Sequence, residues 1–226
     1  MTYLNHLLFG IYPYIALAVF VVGSLIRYDR EQYTWKTGSS QILESKKLRQ
    51  GSMAFHVGVI MILAGHFVGL LTPVELWHLL GIDAATKQMI AVVLGGGAGV
   101  ICFYGLTILV MRRLFDDRIR ASSAIMDTLI VVLIYVQLIL GMISIYYTRQ
   151  HMDGSEMLKM MAWAQNIVTF DGTVAAEAIK DIGLIYKLHI LLGMTLFLLF
   201  PFSRLVHIAS VPVKYFLRSY QIVRQK

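Results

Sequence analysis

The chain has a single cysteine, Cys102, and only 15% of its 226 residues are charged. One cysteine excludes a disulfide framework, and it also excludes the paired-cysteine attachment of a c-type haem. So little charge excludes a disordered chain and an ordinary soluble domain, which carries about 25% charged and roughly 45–50% apolar residues. Internal repeats and low-complexity tracts are also missing. What is abundant is apolar: 58% of the residues are hydrophobic, a departure in the direction of lipid. The net charge of +7 does not point to nucleic acid, because the basic residues sit in short clusters between apolar runs, where orientation in a membrane needs them.

Five such runs divide the sequence: about 7–26, 53–72, 89–111, 124–147 and 182–209, followed by a tail over 210–226. The first two contain no Lys, Arg, Asp or Glu, and the third is free of them until Arg112 and Arg113. Each is long enough to cross about 30 Å of hydrocarbon as a helix. Backbone satisfaction in lipid leaves helices or closed barrels, and continuous runs without ten-residue alternation select helices. The first run lacks a basic leader segment and reads as a retained span.

Charge sets the orientation. Six Lys/Arg fall in 27–52, four in 112–120 and five in 204–226, against five on the other side. The positive-inside rule puts those three segments in the cytoplasm and the N-terminus outside. The expected fold is an all-α integral membrane protein of five transmembrane helices, one domain over 1–226, in the cytoplasmic membrane. Trp35, Trp77 and Trp163 lie outside the runs, where interfacial rings belong. In the long outer loop, Ser155 is the expected cap of an amphipathic helix with Met157, Met161, Ala164 and Val168 on one face, lying over the outer surface.

Four of the seven histidines fall within apolar runs: His56 and His66 in the second, His189 and His207 in the fifth. Ionisable groups at membrane depth are costly and point to function. A bis-imidazole haem takes one neutral histidine from each of two facing helices. Runs two and five are antiparallel in this topology, so His56 pairs with His207 near the cytoplasm and His66 with His189 near the outside. The result is a dihaem b bundle. The spacings are unequal: ten residues give roughly 15 Å of rise and eighteen roughly 27 Å, with Pro201 available as a break. Gly58, Gly65, Gly69, Gly193 and the cluster Gly95, Gly96, Gly97 and Gly99 leave room for a flat macrocycle, although close helix packing alone also explains glycines. Arg112 and Arg204 are placed to neutralise haem propionates; positive-inside anchoring explains them equally. His6, His78 and His151 read as solvated or interfacial.

At these residues the sequence resembles the gamma (cytochrome b) subunit of membrane-bound respiratory nitrate reductase. The resemblance covers almost the whole chain and is strongest in IYPYIALAVFVVGSLIRYDREQYTW (11–35), AFHVGVIMILAGHFVGLLTP (54–73), HMDGSEMLKMMAWAQ (151–165) and KLHILLGMTLFLLFPFSRLVH (187–207). It implies two haem b groups, a distal one on His66 and His189 and a proximal one on His56 and His207. It also implies oxidation of menaquinol or ubiquinol near the outer face of a bacterial inner membrane. Electrons then pass to an iron–sulfur beta subunit and a molybdenum-containing alpha subunit that reduces nitrate. The family's quinol-site lysine falls at Thr86 in an ungapped match and at Lys87 one residue on. Lys87, with Gly65 and Gly69, forms the expected quinol mouth beside the 155–168 segment. Two other readings stay open: a dihaem anchor of a hydrogenase or formate dehydrogenase type, and a haem-free transporter using its histidines as a proton relay.

Overall fold

The computed structural model describes residues 3–31, 33, 35, 45–150 and 152–210. Among them there is no strand. Five helices are long and apolar enough to cross a membrane: Tyr3–Arg30, Lys46–Leu71, Ala84–Phe115, Ile125–Thr148 and Leu184–Phe202. The first is built from α1 (Tyr3–His6), a π turn (Leu7–Ile11) and α2 (Tyr12–Arg30). The others are α3 (Ser45–Leu71), α5 (Ala84–Phe115), α7 (Ile125–Thr148) and α10 (Leu184–Leu199), with short α4 (Val74–Leu79) and α6 (Asp117–Ala121) in the turns between. Spans one and three run past the apolar limits at both ends and span two at its first end, because the apolar run marks only the hydrocarbon while the helix continues into polar surroundings.

Span five is the exception. It was expected to continue to residue 209, but the α-helix stops at Leu199 and a 3-10 turn covers Phe200–Phe202. Ser203 is extended (φ −122°, ψ 177°), and a second 3-10 segment covers Arg204–Ser210. Pro201 accounts for the break: it lacks the N–H that would continue the helical ladder, and its ring crowds the preceding turn. The expected tail lies outside the described residues apart from Ser210.

Proline also explains the π turn in span one. Pro13 cannot donate to the carbonyl of Phe9 four residues back. The indole Nε1 of Trp163 donates to it instead, at 3.0 Å. Trp163 is thus buried in the core rather than interfacial as expected. It belongs to a cap of two helices, α8 (Ser155–Val168) and α9 (Gly172–Ala178), which covers the end of the bundle that carries Tyr3. Asn5 Nδ2 donates to Ala176 O at 2.7 Å, and the backbones of Gly10 and Gly172 touch so closely that a Cβ on either would overlap the other's carbonyl. Helix α8 begins where expected but is capped differently. Gly154 is the N-cap at φ +83°, a left-handed conformation that glycine tolerates. The Asp153 carboxylate accepts from Ser155 N and Oγ at 3.2 and 2.9 Å, so Ser155 donates rather than caps. Met157, Met161 and Ala164 are buried as expected, whereas Val168 is exposed and Ile167 takes its place.

The spans pack as neighbours in the order α3, α5, α7, α10, α2. The α3–α5 seam is built from small residues: a Cβ on Gly58 would lie 2.6 Å from Cys102, and one on Gly105 would overlap the backbone N of Phe55. Small residues let helix backbones approach in a membrane, where the hydrophobic effect gives no drive for association. No comparable seam joins α3 to α10 among the described residues.

Candidate functional site

The histidines reach across the opening between α3 and α10. The rings of His66 and His189 have centroids 6.1 Å apart at an interplanar angle of 34°. Those of His56 and His207 are 6.2 Å apart at 74°. The break at Ser203 reconciles the unequal spacings, since the chain turns there and His207 comes level with His56 instead of continuing along the axis of α10.

Local backbone geometry chooses the tautomer of three rings. Nδ1 of His56 lies 2.7 Å from Ser52 O, Nδ1 of His66 lies 2.8 Å from Ile62 O, and Nδ1 of His207 lies 2.7 Å from Arg204 O. A carbonyl only accepts, so each Nδ1 carries a proton, and in the neutral ring that leaves Nε2 as the metal-binding nitrogen. His189 is held otherwise. Gln137 Nε2 donates to the His189 carbonyl at 3.0 Å and lies 3.4 Å from the ring Nε2. Nδ1 of His189 is buried without a hydrogen-bond partner. Gly141 lies against this ring, since a Cβ there would come within 3.0 Å of Cε1. Sequence reading missed Gln137, whose one signal is an amide in an otherwise apolar run.

The pairs suit a metal bound between two imidazoles. Two metal–nitrogen bonds of about 2 Å, together with the two ring radii, put facing centroids roughly 6 Å apart. No group of three or more His, Cys, Asp or Glu gathers among the described residues. The fitting cofactor is therefore one that brings the remaining ligands itself, as haem does. A Cβ on Gly65 or Gly69 would meet nothing within 4 Å, so α3 is open beside both. Gly58 packs on Cys102, Gly99 faces Met142 and Gly193 faces Gln137. Gly96 and Gly97 line a separate apolar groove of about 500 Å³ between α5 and α7.

At the capped end, Lys87 is 4% exposed. Its Nζ donates to Gly69 O at 2.7 Å and to Met161 Sδ at 2.8 Å, and it lies 4.7 Å from the centre of the Trp77 ring. Lys87, Gly69 and α8 thus meet, three residues along α3 from His66. Thr86 instead belongs to the capping turn of α5: its N–H donates to Asp83 Oδ1 at 2.8 Å, and hydrogen bonding from the Thr86 side chain, with that N–H, holds the Asp83 carboxyl below the usual range. Gln165 Nε2 ties α8 to the end of α3 through Leu70 O (3.0 Å) and Thr72 O (3.2 Å).

At the opposite, basic end, Arg112 is buried and lines a cavity of about 780 Å³ with Lys47, Met111 and Phe115. Its neighbour Arg113 pairs with Asp127 at 3.7 Å. His6 lies 3.4 Å from Thr173 and His78 is exposed, while His151 lies outside the described residues.

The chain matches, over residues 5–226, the family model described as nitrate reductase gamma subunit. It is 49% identical over 229 aligned positions to the respiratory nitrate reductase 1 gamma chain of Escherichia coli (strain K12), with all of both chains covered. The respiratory nitrate reductase 2 gamma chain of the same organism is 46% identical over 226 positions, covering 99% of this chain and 98% of the relative. The nitrate reductase gamma chain of Bacillus subtilis (strain 168) is 36% identical over 222 positions, covering 98% and 99%.

Proposed function

The chain belongs to the nitrate reductase gamma subunit family, the cytochrome b membrane subunits of that complex, and from this premise we propose that it oxidises quinol at its capped end and delivers the electrons to subunits at its basic end. The carrying observation is the two facing imidazole pairs, with centroids 6.1 and 6.2 Å apart, between α3 and the α10 segment with its 3-10 continuation, where α3 and α10 share no packed seam. His66 with His189 would hold one haem b, and His56 with His207 the other. Haem so held supplies one-electron carriage across the bilayer.

The chain's own residues do the rest. Ser52, Ile62 and Arg204 carbonyls orient three imidazoles through Nδ1, so that Nε2 is the nitrogen left to bind a metal. Lys87 presents a buried ammonium beside Gly69. Such a donor orients a quinol oxygen and stabilises the negative charge left as its proton departs. Gly65 and Gly69 leave an apolar slot for the ring. By the positive-inside rule the capped end faces outward, so the quinol proton leaves outside a bacterial inner membrane. The basic end, with Arg204, meets an iron–sulfur beta subunit, behind which a molybdenum-containing alpha subunit reduces nitrate. Arg112 and Arg204 are the candidate propionate partners.

The test uses the complete complex in liposomes, given a menaquinol or ubiquinol analogue and nitrate, with a pH-sensitive dye on each side. Quinol oxidation should acidify the side carrying α8, and Lys87→Ala should slow it on the order of 10²-fold, as loss of a preorganised donor does. Acidification of the basic side contradicts the proposal, and unchanged quinol kinetics in Lys87→Ala removes that lysine from the site.

A further inference from the structure

We propose that Arg27, on span one, is a positioning residue for the basic-end histidine pair: it holds the carbonyls freed at the break in span five and so fixes where His207 points. The inference rests on the reading of His56 and His207 as a haem-binding pair.

A helix that stops leaves its last carbonyls without partners, and in hydrocarbon or at its edge each such group is costly. Span five stops inside the bundle at Pro201 and Ser203. Nη1 of Arg27 donates to both released carbonyls, Pro201 O at 2.6 Å and Ser203 O at 3.0 Å. The planar guanidinium is preorganised for such bridging, where an ammonium is a single flexible point charge. Span one supports the same segment by packing. A Cβ on Gly23 would lie 2.9 Å from Pro201 Cγ, so the proline seats on the glycine. Phe20 meets Phe200 and Phe197 edge-on, at 4.8 and 5.4 Å between centroids.

From this anchor to the imidazole is a short path. The Ser203 carbonyl that Arg27 holds belongs to the same peptide plane as Arg204 N. The Arg204 carbonyl orients His207 through Nδ1 at 2.7 Å. Ser203 Oγ adds a local brace, donating to Phe200 O (3.1 Å) and accepting from Leu205 N (3.2 Å). His56, by contrast, is oriented by the preceding turn of its own regular helix. One partner of the basic-end pair is set locally and the other by a span that carries no histidine of either pair.

The positive-inside rule alone would also put an arginine at the end of span one, and a lysine would serve that purpose as well. This difference supplies the test. Arg27→Ala, Arg27→Lys and Gly23→Val are purified in the complete complex beside His56→Ala and His207→Ala. Haem content and a potentiometric titration are followed optically and by electron paramagnetic resonance. Arg27→Ala should fall from two haems per chain toward one, the survivor matching that of His207→Ala. Arg27→Lys and Gly23→Val should displace the signal and midpoint of the same haem while the His66/His189 haem stays as in the parent. Two unmoved haems in Arg27→Ala, full rescue by lysine, or equal loss of both haems overturns the role of Arg27. A parent without haem, or different haems lost in His56→Ala and His207→Ala, overturns the underlying pairing instead.

Discussion

Helix α3 is built differently on its two sides. Toward α5, Gly51 and Gly58 meet Ile108, Cys102 and Gly105, with no room for a single added carbon. Toward α10 there is no packed seam, and the contact is made by imidazole rings held about 6 Å apart. The first side is a finished interface between backbones. The second is a distance maintained by helices that pack on other neighbours, and that suits a component bound between the rings. Glycine has two meanings along one face of α3: Gly58 and Gly65 lie seven residues, about two turns, apart, yet Gly58 allows contact with Cys102 while Gly65 leaves open space.

The largest effect that sharpens this contrast is expected at Gly105. Gly105→Val drives side-chain carbons into the backbone of Phe55, an overpacking that costs about 3 kcal/mol or more. The solubilised protein should accumulate poorly and melt many degrees lower. Gly96→Val, whose Cβ would meet nothing within 4 Å, should change stability by less than about 0.5 kcal/mol. Equal losses at the two positions would erase the distinction between seam and open groove.

A smaller effect is expected at the cap. Trp163→Phe leaves the Phe9 carbonyl with neither the Pro13 N–H nor the indole, at about 1–3 kcal/mol for an unsatisfied buried group. Pro13→Ala returns a backbone donor, so the double variant should lose less than Trp163→Phe alone in a thermal melt. Simple additivity would mean that the indole does not stand in for the missing proline N–H.

Much of this was legible in the sequence because it is periodic or costly. Apolar runs set five spans, and histidines inside them stand out against a solvent that disfavours them. The limits of α8 could be read from its own residues. What escaped was decided by partners far along the chain. The π turn at Leu7–Ile11 depends on Trp163, the left-handed Gly154 depends on close approach to Ala84, and the seat of Pro201 depends on Gly23 and Arg27. Val168 and Ile167 exchanged roles because a helix packed on α9 and span one turns its buried face differently from one lying on a flat surface. Gly95, Gly96 and Gly97 looked like part of the histidine gap, and helix rotation put Gly96 and Gly97 on another groove.

The most direct test is the haem content and redox-difference spectrum of the purified complex in the parent and in His56→Ala, His66→Ala, His189→Ala and His207→Ala. Two b haems per gamma chain in the parent are expected, with His66→Ala and His189→Ala each losing one and the same haem, and His56→Ala and His207→Ala each losing the other. Matching losses in His66→Ala and His207→Ala, or a parent without haem, would contradict the pairing across the opening between α3 and α10.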